Sequence, residues 1–417
     1  MRLPLFSLLF FFGLHSAKAA IGNYNSILIG DQAAGMGGAY TALTSDASAL
    51  AWYNPATLAF LEGQSFSAAV GIYKKFDIRY AQDESLEKAS LRVNQGFFRA
   101  LPSSTGSVVR YEDFLKDYTL ALSIVTPSYE SFKGKIKSSA DFVSAFEMVD
   151  ESIWVGVGIG RKISLNESLG LTLYYTARSL SKSVTDITNV SSTDKKIYTE
   201  QKDYFQNALV PILGYYREIS PRFRWGLSLR LPALPIAGEG SYSDSFIDTT
   251  SSSQPTTNYD SLKSRMKVPM KETVGIAFAP SGKWLFSFDL SHYHRLKYRD
   301  LEEPAVAETI QHNELWNAAL GGQYLWNQKL KFRGGLFTNL SAHPNPDPAL
   351  VRGQGDRVDQ LGFSANASLL SGKIEYTFGG YYTGGKGRSV QRVNQSYEVV
   401  TKSVQVFTML VGTSYSF

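Results

Sequence analysis

"LGLTLYYTARS", residues 169–179, puts Leu169, Leu171, Leu173, Tyr175 and Ala177 on one side of an extended chain and Gly170, Thr172, Tyr174, Thr176 and Arg178 on the other. Successive side chains of a strand point to opposite faces, so this stretch reads as a strand with one apolar and one polar face. The pattern recurs. "IWVGVGIG" (153–160) sets Ile153, Val155, Val157 and Ile159 against Trp154 and three glycines. "YTLALSI" (118–124) aligns Tyr118, Leu120, Leu122 and Ile124. "WLFSFDL" (284–290) aligns Trp284, Phe286, Phe288 and Leu290 opposite Ser287 and Asp289, and the C-terminal stretch aligns Phe407, Met409, Val411, Thr413, Tyr415 and Phe417.

A soluble β-sandwich also alternates, so the connections carry the decision. Short turns at "RYEDFLKD", "SLNES", "REISPRF", "PSGK", "WNQK" and "LSGK" alternate with long polar segments around residues 76–92, 128–149, 182–200, 236–264, 298–310, 340–356 and 387–400. Tight turns at one end, long loops at the other and an even strand count describe an outer-membrane barrel, here with about fourteen strands. Strands of ~9–16 residues suffice to cross a bilayer at the usual tilt. "SYSDSFIDTTSSSQPTTNYDS" (241–261) reads as a solvated outer loop. Only a closed cylinder satisfies every backbone group in lipid without an exposed edge. The apolar faces then meet lipid, and the serine, threonine, glycine and arginine faces line the lumen. Trp284, Trp316, Trp326, Tyr175 and Tyr415 fall near strand ends, where interfacial girdles belong. The terminal aromatic Phe417 suits recognition by barrel-insertion machinery, an expected partner together with outer-membrane lipid and lipopolysaccharide.

Composition agrees. Residues 1–19 combine Arg2, an apolar run from Leu3 to Leu14 and Ala17-Lys18-Ala19, which reads as a secretory signal peptide. Its removal would lower the formal charge from +5 to +3, too little to hold nucleic acid. The absence of cysteine excludes disulfides, thiolate metal sites and cysteine nucleophiles. Past the leader no apolar run approaches the ~18 residues of a spanning helix.

Residues 20–62 precede the first strand, "QSFSAAVGIY", and lack a sustained period of two. They start from the periplasmic side, and Ala39, Tyr40, Leu43, Leu50, Trp52 and Leu58 need a surface to pack on. A plug in the barrel lumen is the reading, giving three parts: signal 1–19, plug 20–62 and all-β barrel 63–417.

Within the plug, "AAGMGGAYTALTSDASALAWYNPATLA" (33–59) resembles the hatch of the FadL/TodX family of outer-membrane transporters of long-chain fatty acids and hydrocarbons. That resemblance puts Gly35, Gly37, Gly38, Ala39, Asp46, Asn54, Pro55 and Ala56 at hatch positions. "RWGLSLRLPALPIAGEGSYS" (224–243), "VPMKETVGIAFAPSGKWLFSFDLSHYHRLKY" (268–298), "LKFRGGLFTNLSAHPN" (330–345) and "DRVDQLGFSANASL" (356–369) are similar to later segments of the family, in matching order. The resemblance implies a fourteen-stranded, generally monomeric barrel in a Gram-negative outer membrane, gated by the hatch and enclosing a pocket for a hydrophobic small molecule. It also implies a kinked third strand that opens sideways. At that strand the chain reads "IVTPSYESF" (124–132): Pro127 fits a break, while Ser128 and Tyr129 stand where the family tends to carry glycine.

Arg178, Arg230 and Arg333 fall on lumenal faces by parity. Each could meet a substrate carboxylate or pair with a lumenal acid such as Asp289. His292 and His294 share the outward row of Trp284 to Leu290 and read as rim residues, since no further ligand stands at metal spacing. No metal or other cofactor is expected. No nucleophile-elbow motif is visible, and His343 reads as a loop residue, so no enzymatic activity is expected. The alternative is a non-transport barrel of this architecture, a protein-binding shuttle or structural protein using its outer loops. A hydrophilic porin is a third option that the plug disfavours.

Overall fold

The computed structural model describes residues 22–61, 63–81, 91–110, 117–137, 142–251, 254–350, 354–393 and 396–417; the leader lies outside them. In chain order the strands are β1 (Ser65–Ala81), β2 (Leu91–Arg110), β3 (Tyr118–Lys137), β4 (Phe142–Lys162), β5 (Glu167–Asn189), β6 (Lys195–Ser220), β7 (Phe223–Arg230), β8 (Leu234–Asp248), β9 (Thr256–Lys263) and β10 (Lys271–Ser281). Then follow β11 (Trp284–Tyr293), β12 (Leu296–Arg299), β13 (Thr309–His312), β14 (Leu315–Leu325), β15 (Leu330–Asn339), β16 (Arg357–Val358), β17 (Gln360–Ser371), β18 (Ile374–Val393) and β19 (Ser396–Ser416). All pairings are antiparallel, and β1 pairs with both β2 and β19, so the sheet closes on itself. β6 pairs with β7 and then β8, which form one wall strand broken around Pro232; β10 and β9 form the next in the same way. Counted so, the wall has fourteen strands. Among the described residues no helix is long and apolar enough to cross a membrane.

Leu169, Leu171, Leu173 and Tyr175 are 41–49% exposed, whereas Thr172, Tyr174 and Thr176 between them are fully buried. The apolar parity therefore faces out and the polar parity faces in. Exposed Val157, Phe286, Leu320, Leu336, Phe363, Phe378 and Phe407 continue this belt around the cylinder. An apolar band that encircles a molecule needs lipid to cover it.

Many outer segments expected as loops are instead continuations of the ladder. β5 has 23 residues and β6 has 26. Their register holds to Asn189↔Lys195, as that of β3 and β4 holds to Lys137↔Val143 and that of β18 and β19 to Val393↔Ser396. The cause is a change of surroundings, with the period of two retained. Past the apolar belt Ser179, Ser181 and Ser183 face outward into water, while Leu180, Lys182 and Val184 stay buried inside. The serine-rich stretch 241–261 likewise belongs largely to the β8–β9 hairpin. β12 and β13 make a separate small hairpin.

The N-terminal segment fills the interior. Two short helices, α1 (Asp31–Gly35) and α2 (Ala47–Tyr53), are followed by a 3₁₀ turn, Pro55–Phe60. Its first described residues lie at the end opposite the short turns, not at the short-turn end where they were expected. Asn23 bridges to Ser341, and the Ala342 N–H donates to the Gly22 carbonyl at 2.9 Å, both beyond the outer end of β15. From there the chain descends, until the Arg110 guanidinium donates to the Ala59 carbonyl at 2.8 Å near the short-turn end. The wall is notched to receive it. A Cβ on Gly170 of β5 would lie 2.3 Å from the Pro55 carbonyl carbon, on Gly335 of β15 2.2 Å from the Gly37 nitrogen, and on Gly412 of β19 2.3 Å from Asp31. Any side chain at these positions would displace the plug.

Candidate functional site: the hatch and the lumenal cavities

The residues expected at hatch positions hold their places for distinct reasons. Gly37 and Gly38 have φ of 68° and 83°, a conformation that costs other residues energy. Gly35 is needed for close approach, since a Cβ there would meet the Asn366 amide at 2.1 Å. Asp46 caps α2 by accepting from the Ser48 N–H at 3.0 Å, and also accepts from the Ser67 hydroxyl of β1 at 3.1 Å. Asn54 accepts from the Ala56 N–H at 3.1 Å and donates to the carbonyls of Thr41 at 2.8 Å and Tyr215 of β6 at 3.0 Å. Pro55 opens the 3₁₀ turn. The Ala56 carbonyl accepts from Ser168 of β5, and the Ala39 carbonyl from Ser287 of β11, each at 2.7 Å.

One anchor differs from its expected role. Asp289 does not neutralise a lumenal arginine. Its Oδ2 accepts from the Tyr40 N–H at 2.9 Å, the Thr41 N–H at 2.9 Å and the Thr41 hydroxyl at 2.7 Å. On the opposite side of the plug, burial, reinforced by the charge of Asp46, pushes the Asp31 carboxyl up to about 7. The hatch is thus tied to strands all round the wall, and its anchors are polar side chains on the lumenal parity.

The three arginines have different surroundings. Arg178 makes a fork with Asp150, at 2.9 and 2.6 Å, and both groups are buried. Arg333 reaches Glu375 at 3.0 Å and the Ser368 hydroxyl at 2.6 Å. Both guanidiniums are already taken up by the wall. Arg230 is 8% exposed, and its Nε has no partner. Among the described residues no carboxylate pairs with it. Its guanidinium stands 6.0 Å from the ring centre of Trp52, 5.9 Å from that of Trp154 and 5.8 Å from that of Tyr293. Tyr24 stacks on Tyr293 at 4.6 Å. The result is a cation in an aromatic box, its Nε–H unused, on the border of a space open on one side.

That space is a cavity of about 690 Å³ bordered by Trp52, Pro127, Trp154, Arg230, Met266 and Val268. An outer cleft of about 820 Å³ lies between Phe76, Ile78, Tyr129 and Val404, with Asn23 and Ser26 among its lining. A third, of about 430 Å³, is bounded by Ile27, Tyr73, Pro102, Thr126, Tyr381 and Leu410.

The wall is interrupted beside the third cavity. The β2–β3 ladder runs from Arg110↔Thr119 to Ser104↔Val125 and stops. Above it, among the described residues, β2 pairs only with β1 and β3 only with β4. The β3–β4 register slips between Val125 and Ser128, across Thr126 and Pro127. Proline cannot donate to a ladder, which accounts for the break without the family's glycine. A slot is left between Pro102–Ser103 and Thr126. Pro127 borders the aromatic cavity and Thr126 the slot cavity, so consecutive residues link the two.

The histidines gain a partner that linear spacing concealed. Glu272 stands directly across from His292 in the β10–β11 register, with His294 Nε2 3.2 Å from its Oε1.

No family profile and no curated protein sequence matches the chain. Solved structures do. A Pseudomonas aeruginosa FadL homologue superposes with a TM-score of 0.69 at 13% identity, covering 95% of this chain and all of the other. The Pseudomonas putida toluene transporter TodX gives 0.65 at 12% identity over 93% and 98% of the two chains. The Ralstonia pickettii toluene transporter TbuX gives 0.59 at 14% identity over 94% and 100%. At such identities the likeness is one of fold.

Proposed function

We propose that this chain, which carries the fold of the FadL and TodX barrels, is an outer-membrane channel for passive uptake of hydrophobic small molecules, long-chain fatty acids or related hydrocarbons. The slot at Pro127, opening from an apolar cavity toward lipid, is the observation that carries this reading. A hydrocarbon chain gains ~0.8 kcal/mol per methylene removed from water, so an aqueous passage would work against it. Leaving an apolar cavity sideways into the bilayer keeps the chain out of water throughout. The solute enters at the outer cleft, rests beside the aromatic box with any carboxylate on Arg230, and leaves between β2 and β3. The hatch, residues 20–62, closes the axial path, and solute binding beside Ile27 and Trp52 shifts it.

The chain has no cysteine, so one engineered pair reports without background. Ser103→Cys with Thr126→Cys, joined by oxidation or a short bis-maleimide, closes the slot and stops uptake of a labelled fatty acid in cells lacking other routes; reduction of the oxidised form restores it. Undiminished uptake with the cross-link formed overturns the lateral route. A purified barrel that retains no lipid but captures a protein through its outer segments would favour the shuttle alternative.

A further inference from the structure

Outside the lumen, one cluster of side chains has the chemistry of a metal site. Glu272 of β10 and His292 of β11 are cross-strand partners, and His294 follows just past the end of β11. His294 Nε2 lies 3.2 Å from Glu272 Oε1, and His292 Nδ1 lies 3.7 Å from Glu272 Oε2. All three ligand atoms fall within 4.8 Å of one another. The imidazole centroids are 4.6 Å apart with planes at 56°, so two rings converge on one carboxylate from different directions. His292 is also held in place, stacked on Trp316 at 4.4 Å and 23°.

The location is specific. Leu290 and Val274, just below on the same outward parity, are exposed members of the lipid-facing belt, and Trp316 is an exposed girdle aromatic. The cluster therefore sits on the outer rim, where lipid gives way to water. His294 and Glu272 keep about two-fifths of their side-chain surface exposed, so small rotations can bring the donors to bonding distance.

From this geometry we infer that Glu272, His292 and His294 form a surface site for a divalent transition-metal ion of the zinc type. Two imidazole nitrogens and a carboxylate oxygen are a borderline donor set of the kind zinc accepts at ~2.0–2.2 Å, and one that magnesium or calcium would not select. Three protein ligands leave a fourth position open to an outside oxygen. The ion joins the outer ends of β10 and β11 on the face turned away from the lumen.

The test uses the tag-free, chelator-treated barrel in detergent, with zinc chloride alone as the probe and magnesium chloride as control. Titration calorimetry should find one zinc per chain at micromolar concentrations and no magnesium. Cobalt in place of zinc should show visible absorption bands of low-symmetry coordination. His294→Asn and Glu272→Gln should each weaken zinc binding at least tenfold, and His292→Asn with His294→Asn should abolish it. Heat-shifted gel mobility verifies that each variant is folded. No saturable zinc binding up to a millimolar, or binding that survives the double histidine substitution, overturns the proposal.

Discussion

Replacing Asp289 by alanine isolates the hatch from the wall more cleanly than any change in the hatch itself, because every hydrogen bond its side chain makes crosses that boundary. Its Oδ2 accepts from the Tyr40 and Thr41 amides and from the Thr41 hydroxyl, at 2.7–2.9 Å, in a fully buried setting. In Asp289→Ala the hydroxyl can turn to another acceptor, but two backbone N–H groups lose theirs. Each buried orphan costs about 1–3 kcal/mol, hence about 2–6 kcal/mol for the docked hatch relative to a displaced one that water can reach. At 1.4 kcal/mol per tenfold, the displaced population should rise by roughly 30-fold to 10⁴-fold. Hydrogen exchange at the Tyr40 and Thr41 amides reads that ratio directly, and single-channel recording reads it as more frequent openings. Asp289→Asn keeps an acceptor and should fall between. If amide protection in a folded Asp289→Ala barrel changes less than threefold, these bonds do not hold the hatch.

Two further outcomes follow from the lumen. Arg230→Met should weaken retention of a long-chain carboxylate by about 10- to 100-fold, the worth of a charge-assisted hydrogen bond. It should leave a neutral hydrocarbon of equal length unaffected; equal losses for both would remove Arg230 from solute contact. Docking should also depend on pH through Asp31, whose carboxyl moves from 3.8 to about 7 on burial beside Asp46, with Arg333 acting in the opposite sense. The docked state then binds more protons than the displaced one, so docking weakens as pH rises from about 4 to 7 and is at its weakest above 7. Hatch protection at pH 5.5 should exceed that at pH 8, and Asp31→Asn should flatten the difference.

The barrel was legible because lipid imposes one rule on one parity along every strand. Leu169, Leu171 and Leu173 face out for the same reason, and the tight turns locate the strand ends. The same rule misled beyond the belt. Once Ser179, Ser181 and Ser183 face water, a polar outer row looks like a loop although its register continues to Asn189. Within residues 33–59, Gly37 and Gly38 answer to local backbone needs and Asp46 and Asn54 cap the turns that follow them, while the wall contacts of Asp46 and Asn54 could not be read from spacing. The roles of Asp289 and Glu272 escaped the sequence for a common reason. Their partners lie across the sheet or inside the cylinder, so neither linear spacing nor period can bring them together. The aromatic box around Arg230 draws Tyr24, Trp52, Trp154 and Tyr293 from four distant segments. No window of sequence contains it.

The descent of the N-terminal segment from the outer end of the lumen constrains how the molecule is made. β1 completes the wall by pairing with β19, the last strand of the chain, so the cylinder has a seam that shuts only when synthesis is finished. Gly22 and Asn23 rest beyond the outer end of β15, and the notches at Gly170, Gly335 and Gly412 grip what comes after them. A finished tube would have to take that thread up along its lumen. Laying the leading segment against the curved sheet first, and sealing the seam around it, requires no such passage.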